Sequence, residues 1–232
     1  MRPICSLLIP TRHRVEALQR AVASWWAMAD APERVEIIVR VHEDDPETLA
    51  WAEGRDRRVR VVVGDTEEGY GSSDKFLNCI AAVSNGDWLM GLADNVTVLT
   101  RRWDTVLKDR LAEPRKECLL LTARVLELPS NRIPIMSRGL YDVVGDRGHT
   151  EHADSYVDAL AGLAGIREPV EIVLSKPGAA NVCERDRVKT WAEFRGDEVA
   201  HQFKVDKVKL AAVLGRAIDD PWTTSDMPEE IR

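Results

Sequence analysis

Short apolar runs and amphipathic stretches take turns along the first hundred residues. Residues 4–9 are apolar but for Ser6 and read as a strand that stops at Pro10. Val15, Leu18, Val22, Trp25 and Trp26 recur at helical spacing and predict a helix over 14–28. A β-branched run predicts a strand over 35–41. Asp45-Pro46 is a helix start, because aspartate accepts from the free N–H groups of a first turn and proline sits where no N–H is needed. That helix is predicted to reach about residue 52, and a third strand covers 58–63. Phe76, Leu77, Ile80 and Ala81 form the buried stripe of a helix from Ser72 or Ser73 to residue 83. Asn85-Gly86 is its exit turn, and Trp88 to Leu92 has the length of a buried strand. Such alternation predicts an α/β fold with a mostly parallel central sheet and helices on both faces.

The second half is less regular. A helix is predicted over 103–111, a strand over 117–123, a short extended piece over 132–136, and a helix ending at Val144. Val157, Leu160, Ala161 and Ala164 mark one face of a helix over 154–164, and 170–174 reads as a strand. Helices follow at about 184–194 and 201–217, and an acidic, proline-bearing tail begins at Ile218 and reads as loosely ordered. The organisation expected is one domain over 1–217, with a ligand-binding half (1–100), a second half (101–217) and a tail (218–232).

Composition narrows the partners. A net charge of -7 argues against a broadly basic nucleic-acid surface and leaves room for a local patch. No apolar run approaches the ~20 residues of a bilayer span, and Met1-Arg2 leads into the first strand without a signal-peptide cleavage pattern. Cys5, Cys79, Cys118 and Cys183 are scattered without a CxxC pair, so neither a zinc site nor a disulfide framework is indicated. They read as reduced thiols, three of them core-filling, in a cytoplasmic protein. The seven tryptophans read mainly as packing residues, with one or two as stacking platforms.

Three predicted strands end in polar loops on what should be one edge: Thr11-Arg12, His42 to Asp45, and Asp94-Asn95. Ligands of open α/β sheets bind beyond the carboxyl ends of the strands, so their convergence outweighs any one of them. Each has a plainer reading: Asp94-Asn95 as a turn, Arg12 as a surface residue, Asp45 as a cap. Arg40, inside an apolar strand, should pair with a site carboxylate or face solvent at an edge.

Taken in order, these stretches resemble the family 2 glycosyltransferases of GT-A fold. Leu7-Leu8-Ile9-Pro10-Thr11-Arg12 looks like the family's first strand and loop, and residues 37–46 look like its second strand and acidic nucleotide-contact loop. One branch of the family has an aspartate where His42 stands. Gly69-Tyr70-Gly71 with Lys75 and Asn78 looks like the loop and helix before the central strand. Gly86-Asp87, Ala93-Asp94-Asn95-Val96 and Arg102-Trp103-Asp104 look like its Gly-Asp, metal-binding Asp-X-Asp and Trp-Asp elements. Ser137-Arg138-Gly139-Leu140-Tyr141 with residues 151–156 resembles the acceptor-side segment. The likeness runs over about 4–175. Two positions depart from it: Asn95 replaces an aspartate, and Ser175-Lys176-Pro177 lies where the family tends to place a histidine ligand.

The resemblance implies an inverting transferase that moves a sugar from a nucleotide diphosphate sugar, a UDP-sugar by default, to an acceptor hydroxyl. It implies donor contacts from Pro10, Thr11, Arg12, Arg40, His42, Asp44, Asp45, Lys75, Asn78, Asp94 and Asn95, and acceptor contacts from Tyr70, Trp103, Arg138 and His152. Asp154 would be the general base, with Glu151 in reserve; the plainer reading of Asp154 is a helix cap. Asp94 would hold Mn2+ or Mg2+, or Lys176 would supply the positive charge instead. The acceptor is open: a glycan, a small molecule, a lipid-linked saccharide or a modified DNA base, the last as in phage-type transferases. A catalytically silent nucleotide-sugar-binding protein is the alternative. A nucleotidyltransferase would carry a glycine-rich loop after the first strand, and a dehydrogenase a GxGxxG there; Pro10-Thr11-Arg12 is neither.

Overall fold

The computed structural model describes residues 2–54, 59–65, 73–110, 113, 115, 117–145, 153–178 and 197–219. In chain order these form β1 (Cys5–Thr11), α1 (Val15–Ala27), a 3-10 turn (Pro32–Arg34), β2 (Val35–His42), α2 (Pro46–Glu53), β3 (Val59–Gly64), α3 (Ser73–Ala82) and β4 (Trp88–Gly91). There follow β5 (Thr97–Val98), α4 (Trp103–Lys108), β6 (Leu120–Val125), β7 (Leu128–Ser137), α5 (Arg138–Val144), α6 (Ala153–Leu163), β8 (Arg167–Ser175) and α7 (Asp197–Leu214). The helix expected over 184–194 lies outside the described residues.

One eight-stranded sheet runs β3-β2-β1-β4-β7-β6-β8-β5. β3, β2, β1 and β4 are mutually parallel, β7 is antiparallel to β4 and β6, β8 is parallel to β6, and β5 is antiparallel to β8. The mostly parallel sheet is therefore present, with its antiparallel pairs in the second half. Two features of that half differ from expectation. The extended piece over 132–136 is the middle of a ten-residue strand, hairpinned to β6. β5 is two residues long and exists through its pairing with Ser175 and Leu174.

Pro10 does not stop β1, which continues to Thr11. Pairing with β4 ends at Leu8, and Leu92 N–H donates to Leu8 C=O on that side. A residue's N–H and C=O point to the same side of a strand, and so do those of the residue two along. The missing N–H of Pro10 therefore faces the side that β4 has already left, where no ladder bond is lost.

Alternation along β1 sorts the helices to both faces. Cys5, Leu7 and Ile9 join a core with Leu18, Trp25, Trp51, Trp103 and Leu107 from α1, α2 and α4. Leu8 points the other way, to Leu77, Ile80 and Ala81 of α3. Farther along that face Leu120 and Met136 pack against Leu140 of α5, Tyr156 to Ala161 of α6, and Phe203 and Leu210 of α7. Ile218 is buried in this cluster too, so the chain stays packed one residue beyond the expected end of the domain at 217. Three tryptophans of the first core satisfy their indole N–H groups on backbone: Trp25 on Val96 C=O, Trp88 on Leu107 C=O and Trp103 on Trp25 C=O, each at 3.0 Å. Of the cysteines, Cys5 is buried, Cys118 half-buried and Cys79 exposed on α3, so the described thiols do not supply three core-fillers. Among the described residues no helix is long and apolar enough to cross a membrane.

The amino ends of the parallel strands carry a closed polar network. Glu36 is buried and accepts from Ser6 Oγ (2.6 Å), Arg60 Nη1 (2.9 Å), Asn85 N (2.9 Å) and Asn85 Nδ2 (3.4 Å). Burial raises its carboxyl, but the bonds from Ser6, Asn85 and Arg60 outweigh burial and hold it below the ordinary glutamate range. Gly86 lies against Ser6 so closely that a Cβ would overlap its backbone.

Candidate functional site

Thr11, His42 and Gly64 end β1, β2 and β3 at the opposite edge, and Asp94 follows β4 there. The loops are tied to one another. Thr11 Oγ1 donates to Asp94 Oδ2 at 2.9 Å, across 83 residues of sequence. The Arg12 guanidinium donates to Asp44 and holds that carboxyl below its usual range. His13 takes a left-handed conformation (φ 55) and its N–H donates to Asp45 Oδ2 at 2.6 Å. Pro10 is half-buried in the strand below.

Asp45 needs correction. Its carboxylate is fully buried; Oδ1 accepts from Thr48 N (3.1 Å), and Oδ2 from Thr48 Oγ1 (2.7 Å) and His13 N. Both oxygens are consumed in capping α2 and fastening the β1–α1 loop, so no acceptor remains for a nucleotide. Asp44, one residue earlier and partly exposed, is the acid that faces outward.

Arg40 meets neither expectation among the described residues. It is buried, its guanidinium lies 3.7 Å from the ring centroid of Phe76 on α3, and Nη1 is 2.9 Å from His42 Nε2. Gly64 leaves the space, since a Cβ there would overlap the guanidinium. A guanidinium only donates, so Nε2 of His42 accepts and the neutral ring carries its hydrogen on Nδ1. Burial, with Arg40 and Arg12 close by, holds the His42 pKa below the ordinary histidine value. Its Nδ1 is buried and makes no hydrogen bond of good geometry among the described residues, although the Asp65 backbone draws the pKa partly back up. Lys75 is exposed and Asn78 half-buried on α3, the helix that carries Phe76.

The tip after β4 gathers charge that the sequence did not reveal. Asp94 is buried, and its free oxygen Oδ1 lies 2.9 Å from Nη1 of the half-exposed Arg14. Burial raises the Asp94 carboxyl, while Thr11, Arg14 and Lys176 pull it back. Lys176 therefore lies where its charge acts on Asp94. Asn95 Nδ2 donates to Pro177 C=O at 3.0 Å, and Glu127, in the β6–β7 turn, accepts from Ser175 Oγ and from Lys176 N (2.8 Å). Arg14 had read only as a helix start, and nothing around Glu127 marked it.

The resemblance implies a divalent cation at Asp94, and the donor set fits one poorly. Asp94 and Asn95 offer one carboxylate and one amide, and no group of three or more His, Cys, Asp or Glu side chains converges among the described residues. Asp94 Oδ1, the oxygen turned from Thr11, makes no hydrogen bond among the described residues, but the Arg14 guanidinium stands 2.9 Å from it and sets a positive charge where a cation would sit. At about 4 Å each nearby unit charge opposes a divalent ion by about 8 kcal/mol at an effective dielectric of 20, before the ion's ligands offset it.

Two acceptor-side expectations are corrected. Trp103 is fully buried, edge-on to Trp25 with centroids 4.8 Å apart, and presents no face to a sugar. Its neighbour Asp104 accepts from Asp30 N (2.8 Å) and Ala31 N (2.7 Å), so the Trp-Asp pair is structural here. Arg138 is also buried and donates to Gly86 C=O (3.1 Å), Ser84 C=O (3.2 Å) and Ser84 Oγ (2.7 Å), fixing α5 to the amino edge of β4. Tyr70, Glu151 and His152 lie outside the described residues. Asp154 is the second residue of α6, and its side-chain placement also lies outside what is described.

No protein-family profile and no curated protein sequence matches the chain. Solved structures do. The mannosyltransferase PcManGT from Pyrobaculum calidifontis, in complex with GDP-Man and Mn2+, gives a TM-score of 0.59 at 15% identity over 93% of this chain and 75% of that one. S. aureus TarS 1-349 in complex with UDP-GlcNAc gives 0.57 at 16% identity over 92% and 72%. A further TarS structure gives 0.53 at 17% identity over 93% of this chain, which spans only 43% of it. At these identities the likeness is one of fold: the chain carries the GT-A-like fold of these glycosyltransferases.

Proposed function

We propose that the chain is a glycosyltransferase that takes a nucleotide diphosphate sugar, by default a UDP-sugar, and transfers the sugar with inversion to an acceptor hydroxyl. What carries this reading is the set of cations, Arg12, Arg14 and Lys176, brought to the edge where β1, β2 and β4 end, beside Asp44 and Asp94. A nucleoside diphosphate needs that combination: acids that accept from base or ribose, and cations that face the phosphates. The fold neighbours bear on it in the same sense, since the TarS complex holds UDP-GlcNAc and the PcManGT complex holds GDP-Man.

In this mechanism the acceptor oxygen attacks C1 of the donor sugar as the bond from C1 to the diphosphate breaks. The electron pair leaves on the diphosphate, where Lys176 and its neighbours neutralise it. The hydroxyl proton passes to the Asp154 carboxylate, with Glu151 as the reserve base. Arg12 and Asp44 hold the nucleoside, with His42 beside them.

Release of free nucleoside diphosphate from a panel of UDP-, GDP-, CDP- and ADP-sugars tests the reading, with glycans, lipid-linked saccharides, small alcohols and hydroxymethylated DNA as acceptors. One sugar nucleotide should be consumed with one acceptor class, and Asp154→Asn should abolish turnover while leaving donor binding intact. Binding without consumption across the panel would make the chain a silent sugar-nucleotide-binding protein instead.

A further inference from the structure

Asp94 is buried, yet its carboxylate is held from two sides by this chain alone. Thr11 donates to Oδ2, and Arg14 Nη1 stands 2.9 Å from Oδ1. We infer that Arg14, oriented by Asp94, binds the donor's diphosphate together with Lys176, and that the site needs no divalent cation to do so. The inference rests on the donor-binding reading above and deepens it.

The geometry of Arg14 carries the argument. It precedes α1 in a non-helical conformation (φ -137, ψ 39), and its side chain makes no capping bond. Its side chain is 52% exposed while that of Asp94 is 5% exposed. A buried carboxylate thus stands as counter-charge beside one Nη of a guanidinium that is otherwise half open to solvent at the carboxyl edge of the sheet. A fork held in this way loses little freedom on binding a phosphate.

Lys176 is placed by a different device. Glu127 accepts from Lys176 N and from the preceding serine, and Asn95 holds the following proline. Its charge acts on the same carboxylate and draws the Asp94 pKa down. Two cations are therefore set around Asp94 from separate elements, one by a buried acid and one by a clamped loop. A metal ion at Asp94 Oδ1 would have to share that oxygen with the guanidinium 2.9 Å away, and Asn95 adds only a neutral oxygen.

Isothermal titration of the whole chain with UDP, uridine and inorganic pyrophosphate, each in chelator and in Mn2+, decides the matter. UDP and pyrophosphate should bind as well in chelator as in Mn2+. Arg14→Ala should weaken both by about tenfold or more, the size of a lost charge-assisted bond, and should leave uridine unchanged. Arg14→Lys should recover part of the loss. Binding that requires Mn2+, or pyrophosphate affinity untouched by Arg14→Ala, overturns the inference alone. No binding by any of them in either condition overturns both the inference and the donor-binding reading. If Arg14→Ala does not fold, the wild-type comparison decides, with Mn2+ uptake in the presence of UDP followed by electron paramagnetic resonance.

Discussion

Glu36 and Asp94 are both buried carboxylates, and they lie at opposite edges of the same four parallel strands. Glu36 is surrounded by donors from Ser6, Arg60 and Asn85, and nothing about it is left to satisfy. Around Asp94 the picture differs: Asp94 Oδ1 and Asn95 Oδ1 are buried without hydrogen-bond partners among the described residues, and the Arg14 and Lys176 charges are only partly covered. Polarity alone does not mark a site in this protein. A polar group whose bonding capacity is spent holds the fold, and one whose capacity is held open and aimed at an edge is available to a ligand.

The largest effect that would sharpen this contrast is on stability. Glu36→Ala should cost about 2–3 kcal/mol, because it strips the acceptor from several donors at once. It should lower the melting temperature by several degrees and leave nucleotide affinity of the folded protein unchanged; unaltered melting would break the comparison at its structural end. At the other edge the signs reverse. Arg12→Ala should leave the melting temperature of the unliganded protein nearly as it was, since the Arg12–Asp44 pair is exposed. It should weaken a nucleoside diphosphate by about tenfold, read by titration calorimetry.

Glu127→Gln should have a smaller effect, a few-fold loss of diphosphate affinity at roughly constant nucleoside affinity, because it loosens the loop under Lys176 rather than removing a contact. The smallest is a pH effect. The folded pKa of His42 is depressed below its unfolded value of 6.5 by burial, Arg40 and Arg12. The unfolded chain therefore binds more protons between the two pKa values. Stability from this group is complete above 6.5 and is lost as pH falls toward the folded pKa. Melting temperature should thus fall on acidification below that point, and His42→Gln should flatten the slope.

Much of the parallel half was legible because its signals are local. β-branched runs, the Asp45-Pro46 start and the stripe on α3 each name one element, and all three form. The hairpin of β6 and β7 was not legible: its turn is Leu126-Glu127, without the Asn-Gly or Asp-Gly that announces a two-residue turn. β5 has no signal of its own at all. Among the candidate residues, Thr11, His42, Asp94 and Asn95 were placed at the expected edge by strand ends alone, and Lys176 only through the family resemblance. Asp45 and Trp103 misled for a shared reason. Each carried a structural signal, a cap and an i, i+4 apolar pair with Leu107, beside the sequence likeness, and a buried group with its bonds filled has nothing left for a ligand. Arg14 escaped because an ion pair spanning 80 residues leaves no trace in spacing.

The central claim is that the carboxyl edge binds the nucleotide and the amino edge does not. Amide spectra of the 15N-labelled chain, titrated with UDP, test it most directly. The account predicts shifts concentrated on Thr11 to Arg14, His42 to Asp44 and Asp94 to Asn95, with Ser6, Glu36, Asn85 and Gly86 unmoved. Shifts centred on Glu36 and Asn85, or none at any position up to millimolar UDP, would contradict it.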